Sequence, residues 1–460
     1  MTLKDWEHVD YGRGSPSDAS LYRQWIGHWS ANQSNPEIHR CLKHKYSDHA
    51  LVVTMDRALN LFTFPEARLT LHGTDGPLSH VIYEPPPRRG AGPGQLVQDI
   101  QFGTYRLDWK SEIFLVVIAE WLNNGFQPTR VHAVLRKGPD VSPINALITA
   151  ASAYATELRE EIFVFNQGVW DKDHDLWLEV QKADWTDIIL DEEFKETIHK
   201  DVTGFFKSEK IYKDLAIPWK RGIIFWGPPG NGKTMTLKAI MKESANPCLY
   251  VKSFHSWMGD EGSIRAVFKK ARQTSPCILV LEDLDSLITD ENRSFFLNEL
   301  DGLESNDGIL VLGTTNHFDK LDPGLSNRPS RFDRKYKFDS PSLSERILYC
   351  KYWQRKLRTS KSINYPKTLI EKVAGLTANF SFAYIKETFV STLTFIAGDQ
   401  AKGCAFEDII ESQITSLREQ LGHEGVRHPY ARPEVLGRHV NSVNAARPLP
   451  GPPPLVPSSN

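Results

Sequence analysis

The sequence has few cysteines, and they form no motif. Its five cysteines are scattered over 460 residues without a C-x-x-C pair. Nothing therefore indicates a disulfide framework or a zinc site of the usual spacing, and a reducing, intracellular compartment is the simpler interpretation. The fifteen histidines show no pair at metal-binding spacing either, so no transition-metal site is predicted.

The chain also lacks long runs of like charge and long apolar runs. Lys and Arg number 55 against 57 Asp and Glu, for a net charge of −2. Little therefore supports a nucleic-acid partner or a polybasic membrane anchor. The best apolar run, IFLVVIA at 113–119, is too short to cross a bilayer, and the opening MTLKDWEHVD lacks the apolar core of a secretory signal. We expect no membrane span and no nucleic-acid partner, and a cytoplasmic or nuclear location.

Residues 1–180 are predicted to form a mainly β domain. Short β-branched and aromatic runs such as HALVVTM, ARLTLHG and SHVIYE alternate there with Gly and Pro, as successive strands and turns do. One helix is expected within PINALITAASAYATELREE.

The pattern changes after this domain. In residues 183–340, apolar runs such as GIIFWG and PCILVLEDL alternate with amphipathic helices, which is typical of a parallel sheet with helices on both faces. Residues 341–423 show helical periodicity alone and predict a small helical domain. Residues 424–460 are rich in Pro and poor in core residues, which predicts a disordered tail. The predicted fold class is α/β, with a mainly β domain before the sheet and a helical domain after it.

The stretch GPPGNGKT fits the pattern G-x-x-x-x-G-K-[ST] between a predicted strand and a predicted helix. The backbone N–H groups of such a turn point at the phosphates of a nucleotide, its lysine neutralises the outer phosphates, and its threonine can bind Mg²⁺. A Gly-Pro turn that merely precedes a helix is the alternative, which the flanking strand and helix disfavour. The predicted nucleotide-binding residues are Gly227, Pro228, Pro229, Gly230, Asn231, Gly232, Lys233, Thr234 and Met235.

An acidic pair, Glu282 and Asp283, ends the apolar run of ILVLEDLD. In phosphate-loop ATPases a carboxylate at the end of a buried strand orders the Mg²⁺ water shell, and its neighbour polarises the attacking water. Alone, the stretch would favour a buried strand that ends in an acidic turn. Its place one βαβ repeat after Lys233 favours the catalytic interpretation.

Five motifs occur in order: GPPGNGKT, ILVLEDLD, LNELDGL, LGTTNHFDKLDPGL and RPSRFDR. Together they resemble the AAA family of ring-forming ATPases over about residues 183–415, including its helical lid. Within that family the chain resembles a group of single-ring AAA proteins from fungi and, more distantly, the mitochondrial Bcs1 type, which shares the Glu-Asp order. The resemblance implies ATP and Mg²⁺ as cofactors, with no other metal, and a homo-oligomeric ring, a hexamer.

The resemblance also implies roles for individual residues. Asn316 corresponds to the polar sensor that orients the attacking water, and Arg328 and Arg331 to arginine fingers that reach the site of the next subunit. The alternative for both arginines is a solvated basic turn. LDPGLSNRPSRFD is one residue longer than usual, which leaves open which arginine is the main finger. The predicted catalytic residues are Lys233, Glu282, Asp283, Asn316, Arg328 and Arg331, with Thr234 and Glu282 at the Mg²⁺.

Two further segments carry the resemblance to the base and the lid. DWTDIILDEEFK resembles the segment that touches adenine, which places Asp187 and Ile188 near the base. NFSFAYIKETF resembles the lid segment that closes over the nucleotide, with Phe382 where glycine is usual and no arginine at the sensor position.

The acidic pair stands in the reverse of the usual order. Glu282 falls at the Mg²⁺ position and Asp283 at the base position, so the base is one methylene shorter and its carboxylate moves by about 1.5 Å. Because a displacement of about 1 Å can cost a hundredfold in rate, the order is compatible with a slow nucleotide switch. The retained catalytic residues favour a working ATPase in which Asp283, or a water that it orders, is the base.

The stretch SFHSWMGDEG resembles the loop that faces the central pore of such rings, with Trp257, Met258 and Gly259 as its aromatic, apolar and glycine positions. A large aromatic offers area for gripping any polypeptide, and glycine lets the loop move. The alternative is that Trp257 packs in the core. The predicted function is an ATP-hydrolysing ring that remodels or threads a protein client selected by the β domain. The second hypothesis is a nucleotide-gated assembly or scaffold with slow or no hydrolysis.

Overall fold

The structure is a computed structural model that describes residues 36–56, 59–72, 77–86, 92–123, 127–302, 305–326, 331–358, 363, 365–398 and 405–424. The chain divides into two compact units, Met1–Arg159 and Glu160–Asn460. The predicted disordered tail lies almost entirely outside the described residues, as does Arg328. No helix in the described part of the chain combines the length and apolar character needed to span a bilayer.

The first unit contains a six-stranded antiparallel sheet in its described residues, in the order β1-β6-β5-β4-β2, with β3 also paired to β4. The strands are β1 (His49–Thr54), β2 (Ala67–Leu71), β3 (Leu78–Glu84), β4 (Gln95–Trp109), β5 (Glu112–Asn123) and β6 (Gln127–Lys137). Helix α1 (Pro36–Lys45) precedes them and α2 (Ser142–Thr156) follows. This arrangement confirms the predicted β-rich N-terminal region and the helix predicted within PINALITAASAYATELREE, whereas α1 was not predicted.

Alternating residues of β5 explain how this sheet is covered. Phe114, Val116 and Ile118 pack in one core cluster with α2, whereas Val117 packs in a second cluster with Leu42 of α1. Because successive strand residues face opposite sides, the centre of β5 is buried on both faces. The apolar run that is too short for a membrane is thus a central strand.

The second unit is built on a seven-stranded sheet, in the order β13-β9-β12-β11-β10-β7-β8. All neighbouring strands are parallel except β7 and β8, which form an antiparallel hairpin. The strands are β7 (Ile162–Asn166), β8 (Val169–Asp173), β9 (Lys220–Trp226), β10 (Cys248–Val251), β11 (Cys277–Leu281), β12 (Ile309–Thr315) and β13 (Arg334–Lys337). The predicted parallel α/β sheet is confirmed.

The structure places the boundary between the units at residue 159 rather than near 180. β7 pairs with β10 through backbone hydrogen bonds, so the hairpin extends the second sheet. The sequence pattern assigned IFVFNQ to the first domain because it resembles the β runs that precede it. Its pairing with a strand about 85 residues later leaves no local signal in the sequence.

Helices cover both faces of the second sheet. They are α3 (His174–Gln181), α4 (Glu192–Lys207), α5 (Glu209–Asp214), α6 (Lys233–Glu243), α7 (Gly259–Thr274), α8 (Leu284–Leu287), α9 (Arg293–Asp301) and α10 (Pro323–Ser326), with 3-10 turns at Trp185–Asp187 and Phe318–Lys320. Ile278 and Val280 of β11 pack in the cluster that contains residues of α4 and α6. On the opposite face, Val311 of β12 lies beside Phe268 of α7. The five residues of β11 are buried as a result.

The C-terminal part of the second unit is helical. It consists of α11 (Leu343–Leu357), α12 (Lys367–Leu376), α13 (Phe382–Ala397) and α14 (Phe406–Glu424). Their buried faces form one cluster around residues such as Val373, Ile385 and Phe389. Ser342 and Glu345 form a capping box that fixes the start of α11. The predicted helical region is confirmed.

Candidate functional site

The predicted phosphate loop joins the end of β9 to the start of α6. Its backbone takes left-handed conformations at Gly227 (φ 138°) and Gly230 (φ 79°). A Cβ atom at Gly227 would lie 2.3 Å from the carbonyl oxygen of Phe338, and one at Gly230 would lie 2.6 Å from the Cβ atom of Ala383. Both positions therefore require glycine. The turn delivers the N-terminus of α6, with its unpaired N–H groups, to the carboxyl edge of the sheet.

Lys233 is buried at the first position of α6. Its ammonium group donates hydrogen bonds to the carbonyl oxygens of Gly227 (2.6 Å) and Pro228 (2.9 Å). Burial lowers the pKa of this lysine, and the carboxylates of Asp283 and Asp285 partly offset the effect. The cation is thus held inside the loop by neutral acceptors that a phosphate oxygen can replace.

Asn231 is fully buried at the loop. Within the described residues, neither its amide nitrogen nor its amide oxygen has a hydrogen-bond partner. A buried unpaired amide costs free energy, on the order of 1–3 kcal/mol. Because Asn231 also lines the adjacent cavity, its polar atoms are suited to contact with a ligand there.

Glu282 follows β11 and is held by two hydroxyl groups. Thr234 donates to its Oε1 atom (2.7 Å), and Tyr250 donates to its Oε2 atom (2.6 Å). Burial, followed by the hydrogen bond to Glu282, raises the pKa of Tyr250, so Tyr250 remains a neutral donor. The predicted Mg²⁺ pair, Thr234 and Glu282, is therefore brought into direct contact.

Asp283 takes a left-handed backbone conformation (φ 52°, ψ 56°) at the cap of α8. Such a conformation costs about 1 kcal/mol in a residue with a Cβ atom. The Asp283 N–H donates to Oγ1 of Thr314 (3.0 Å), and Nδ2 of Asn316 donates to the Asp283 Oδ1 atom (3.3 Å). The backbone turn thus separates two adjacent carboxylates, with Glu282 beside Thr234 and Asp283 beside Asn316.

The surroundings of Asp283 raise its pKa. Desolvation is the largest cause, the neighbouring carboxylates of Glu282 and Asp285 add to it, and Lys233 opposes it. Asp285 is itself fixed by a hydrogen bond from Oγ1 of Thr315 (2.6 Å). A carboxylate with a raised pKa is a stronger base than an ordinary aspartate.

These groups lie at the carboxyl ends of three parallel strands. We call this set the nucleotide edge, defined as residues 227–234 after β9, 282–285 after β11 and 314–316 at the end of β12. In open α/β sheets, ligands bind outside the carboxyl ends of the strands. The edge unites the predicted phosphate loop, acidic pair and sensor asparagine.

A cavity of about 630 Å³ adjoins the nucleotide edge. Its lining includes Asp187, Ile188, residues 229–235, Asp283 and Asn316. The segment predicted to touch adenine and the residues predicted to touch phosphate therefore face one cavity, although they are separated by about 40 positions in sequence.

The helical region supplies further cavity residues, of which Phe382 lies in the predicted lid segment and the two tyrosines were not predicted. Tyr349 and Tyr352 of α11 and Phe382 of α13 line the cavity. The Tyr349 ring stacks on Tyr352 (5.7 Å between centroids) and meets Phe382 edge to face (5.2 Å). Burial raises the pKa of each tyrosine to about 12. The spacing of aromatics in LYCKYWQRKL was the available signal, but a helical stripe of aromatics is more often plain core.

Arg331, one of the two predicted finger residues, is buried. Its side chain is only 7% exposed. It donates from Nε (2.9 Å) and Nη2 (2.6 Å) to the carboxylate of Asp301, and from Nη1 to the carbonyl oxygen of Gly324 (2.6 Å). The guanidinium is thus held by a carboxylate and a carbonyl oxygen of its own chain.

Trp257 lies in the loop between β10 and α7 and is 81% exposed. It does not pack in a core, which removes that alternative. Met258 donates its N–H to Oγ of Ser256 (3.1 Å), which in turn contacts Oγ of Ser263 (2.7 Å). Gly259 has a φ of 71° at the start of α7.

The β7–β8 hairpin reaches this same loop. A Cβ atom built at Gly168, in the hairpin turn, would lie 3.1 Å from the indole Nε1 atom of Trp257 and 3.1 Å from Cβ of Ser256. Gly168 has a φ of 86°, so the turn favours glycine, and a Cβ atom there would also force the side chain of Ser256 or Trp257 to shift.

Residues 223–340 match the sequence model of a family described as "ATPase family associated with various cellular activities (AAA)". The chain is 32% identical over 202 residues to the ATPase family gene 2 protein of Saccharomyces cerevisiae, which covers 41% of the chain and 26% of that protein. It is 28% identical over 315 residues to a cell division cycle protein 48 homolog of Archaeoglobus fulgidus, covering 62% and 42%. It is 29% identical over 245 residues to the ATP-dependent zinc metalloprotease FtsH 2 of a Thermoanaerobacter species, covering 50% and 47%. The chain thus matches between about a quarter and a half of the length of each relative.

Proposed function

Because the chain carries a domain of the AAA ATPase family, we propose that it binds and hydrolyses ATP and uses the energy to remodel or thread a protein client. The observation that carries the proposal is the contact between Thr234 and Glu282 beside the buried Lys233. This contact joins the phosphate loop, which follows β9, to the acidic pair, which follows β11.

The residues present fit Mg²⁺ and ATP. Hard divalent cations take oxygen ligands, and the edge offers the hydroxyl of Thr234 and the carboxylate of Glu282 to hold Mg²⁺. The cation would supply charge neutralisation of the phosphates. The unpaired amide of Asn231 and the unpaired N–H groups of α6 offer donors to phosphate oxygens.

The remaining residues of the edge have separate tasks in hydrolysis. Lys233 exchanges the carbonyl oxygens of Gly227 and Pro228 for the outer phosphates. Asp283, or a water that it orders, takes the proton of the attacking water, and the amide of Asn316 holds the Asp283 carboxylate in position. The left-handed backbone at Asp283 supports this assignment, since it directs the shorter side chain away from Glu282.

We assign completion of the site to a second copy of the chain in a ring, a hexamer by family resemblance. An arginine delivered in trans stabilises charge on the γ-phosphoryl oxygens. The ion pair between Arg331 and Asp301 favours Arg328 as the residue that reaches across, with Arg331 anchoring the segment that carries it.

The client would be a polypeptide that Trp257 and Met258 contact. A tryptophan that is 81% exposed offers a large apolar surface for binding without sequence specificity. The β-rich first unit would select the client or an adaptor.

A second candidate function is a nucleotide-gated scaffold with slow or no hydrolysis. The observation that favours it is the reversed acidic pair, which places the shorter side chain, Asp283, at the position of the base. Such a protein would bind ATP and assemble, but turn it over at a rate that mutation of Asp283 barely changes.

Steady-state ATP turnover as a function of protein concentration separates these functions. The comparison includes Asp283→Asn and a control, Asp290→Asn, whose side chain is 91% exposed. Turnover that rises cooperatively with concentration, survives Asp290→Asn and falls at least a hundredfold in Asp283→Asn would support the ATPase. Equal turnover in all three proteins with ATP still bound would favour the scaffold.

A further inference from the structure

Asn292 lies between the nucleotide edge and the Trp257 loop, in the turn between α8 and α9. Its side chain is 1% exposed. The amide nitrogen donates to Oδ2 of Asp260 (2.8 Å) and to the carbonyl oxygen of Leu287 (3.1 Å). The amide oxygen accepts the N–H of Thr289 (3.0 Å). Three hydrogen bonds from one buried amide thus join two separate segments of the chain.

One of these segments begins at Asp283. Helix α8 is a single turn, in which Leu287 donates its N–H to the carbonyl oxygen of Asp283 (3.1 Å). The last residue of this turn, Leu287, is the one whose carbonyl oxygen accepts from Asn292. A displacement of the acidic pair therefore moves a direct partner of Asn292.

The other segment begins at Trp257. Asp260 is the second residue of α7, directly after Gly259. Its carboxylate accepts from Asn292 and lies 3.7 Å from Nδ1 of His255, which precedes the exposed tryptophan in the same loop. The Asp260 carboxylate is therefore the point at which Asn292 holds the loop.

We propose that Asn292 is a positioning residue that couples the acidic pair to the Trp257 loop, so that a change at Asp283 alters the placement of the loop through Asp260. The inference rests on the proposed function, because it assigns a route by which ATP turnover moves the client-binding loop. Coupling of this kind requires that the nucleotide state and the loop share one equilibrium.

The physical basis is the cost of breaking these bonds in a dry environment. A buried amide that loses one partner is left with a donor that neither water nor protein satisfies, which destabilises that arrangement. Leu287 and Asp260 are therefore held together, and they move together more readily than apart. The left-handed glycine at 259 permits the loop to follow such a movement.

The test is hydrogen–deuterium exchange of residues 253–262 in the full chain, with Mg²⁺ and either ADP or the slowly hydrolysed analogue ATPγS. We expect the two nucleotides to give different deuterium uptake in this loop of the unaltered protein. Asn292→Ala and Asp260→Ala should each reduce that difference by at least half. Asp260→Asn should retain it, because an amide oxygen also accepts the Asn292 hydrogen bond.

The matched control is Asn306→Ala. Asn306 is also buried, and it donates to the carbonyl oxygens of Glu299 and Leu300 and accepts from Nε of Arg272. Its loss has a similar structural cost but breaks no contact with the loop or with α8, so the nucleotide-dependent difference should persist. Asp260→Ala, at a partly exposed position, covers the case in which Asn292→Ala does not fold.

Equal loop exchange in ADP and ATPγS, or an undiminished difference in both alanine variants, would overturn the coupling. Equal loss in Asn306→Ala would also overturn it, because the effect would then be general destabilisation. Failure of the proposed function is measured separately, as the absence of ATP turnover or of its stimulation by reduced, carboxymethylated lactalbumin, an unfolded polypeptide. The exchange experiment needs only nucleotide binding.

Discussion

The nucleotide edge and the Trp257 loop belong to the same sheet but are held in opposite ways. At the edge, Lys233 donates to carbonyl oxygens of its own loop, and Glu282 and Asp283 have hydrogen-bond partners in other helices or strands. In the Trp257 loop, the tryptophan is 81% exposed, and the hydrogen bonds are made by neighbouring residues of the loop. The difference matches two tasks, since proton transfer and phosphate binding need geometry fixed within about 1 Å, whereas contact with varied polypeptides needs an adaptable surface.

The largest effect is expected when the most enclosed cation of the edge is removed. Lys233→Ala should weaken ATP binding by about a hundredfold or more, because it removes the buried charge that the loop surrounds. The measurement is the rise in Tm on adding Mg²⁺ and ATP, which reports binding directly. Lys200→Ala, at a 73% exposed position, is the control. An unchanged ATP-induced shift in Lys233→Ala would mean that the loop is not a phosphate site.

A second substitution tests the Trp257 loop. Trp257→Ala should reduce the stimulation of ATP turnover by an unfolded polypeptide about tenfold, because truncation removes most of the exposed contact area. The readout is the ratio of turnover with and without reduced, carboxymethylated lactalbumin. Leu215→Ala, which removes another side chain that is 63% exposed, should leave the ratio unchanged. Equal ratios in Trp257→Ala and the unaltered protein would contradict a gripping role.

An intermediate effect is expected from Tyr250, which lies outside the nucleotide edge and donates a hydrogen bond to Glu282. Tyr250→Phe should reduce ATP turnover about three- to tenfold, mainly at limiting Mg²⁺, because Glu282 loses a hydrogen bond worth about 1.5–3 kcal/mol to a charged group. Tyr336→Phe is a matched control, since Tyr336 donates to Asp201 (2.9 Å) in the same unit. A similar loss in both variants would indicate destabilisation instead of a specific effect on Glu282.

The smallest effect concerns pH. The pKa of Asp283 is raised above the ordinary value of 3.8, so turnover that needs its carboxylate should be lost as pH falls through that raised value. Asp285→Asn removes one cause of the rise and should shift the acidic limb to lower pH by less than about one unit. An unshifted limb in the pH profile of kcat would show that Asp285 does not influence the base.

The same shift has a consequence for stability. A carboxyl group with a folded-state pKa above its unfolded value loses stabilisation as pH rises through these values. At neutral pH the ionised Asp283 is therefore mildly destabilising, and the neutral Asp283→Asn should be at least as stable as the unaltered protein. This is the pattern expected of a residue retained for activity at the expense of stability.

The sequence alone predicted which residues meet at the nucleotide edge, because these residues belong to local motifs. The pattern from Gly227 to Thr234 and the pair Glu282–Asp283 each follow an apolar strand, and parallel strands place their carboxyl ends at one edge. Whether Arg331 acts as a finger stays a prediction. Its burial could not be predicted from the sequence, because it depends on Asp301 and Gly324, which come from other elements.

Other features could not be predicted from local pattern. The roles of three residues depend on contacts with other parts of the chain, which lie between 5 and about 160 positions away in sequence. These residues are Tyr250, Tyr349 and Asn292. The pairing of β7 with β10 is equally non-local. Periodicity identifies which residues face inward, but it does not identify their partners across the sheet.

The hairpin turn at Gly168 has a mechanical consequence for the loop beside it. The space that a Cβ atom would take there is already bounded by the indole of Trp257 and the side chain of Ser256. Any movement of the Trp257 loop with nucleotide state, as proposed above, is therefore limited on one side by the hairpin turn, because the ring cannot enter the space that the turn occupies.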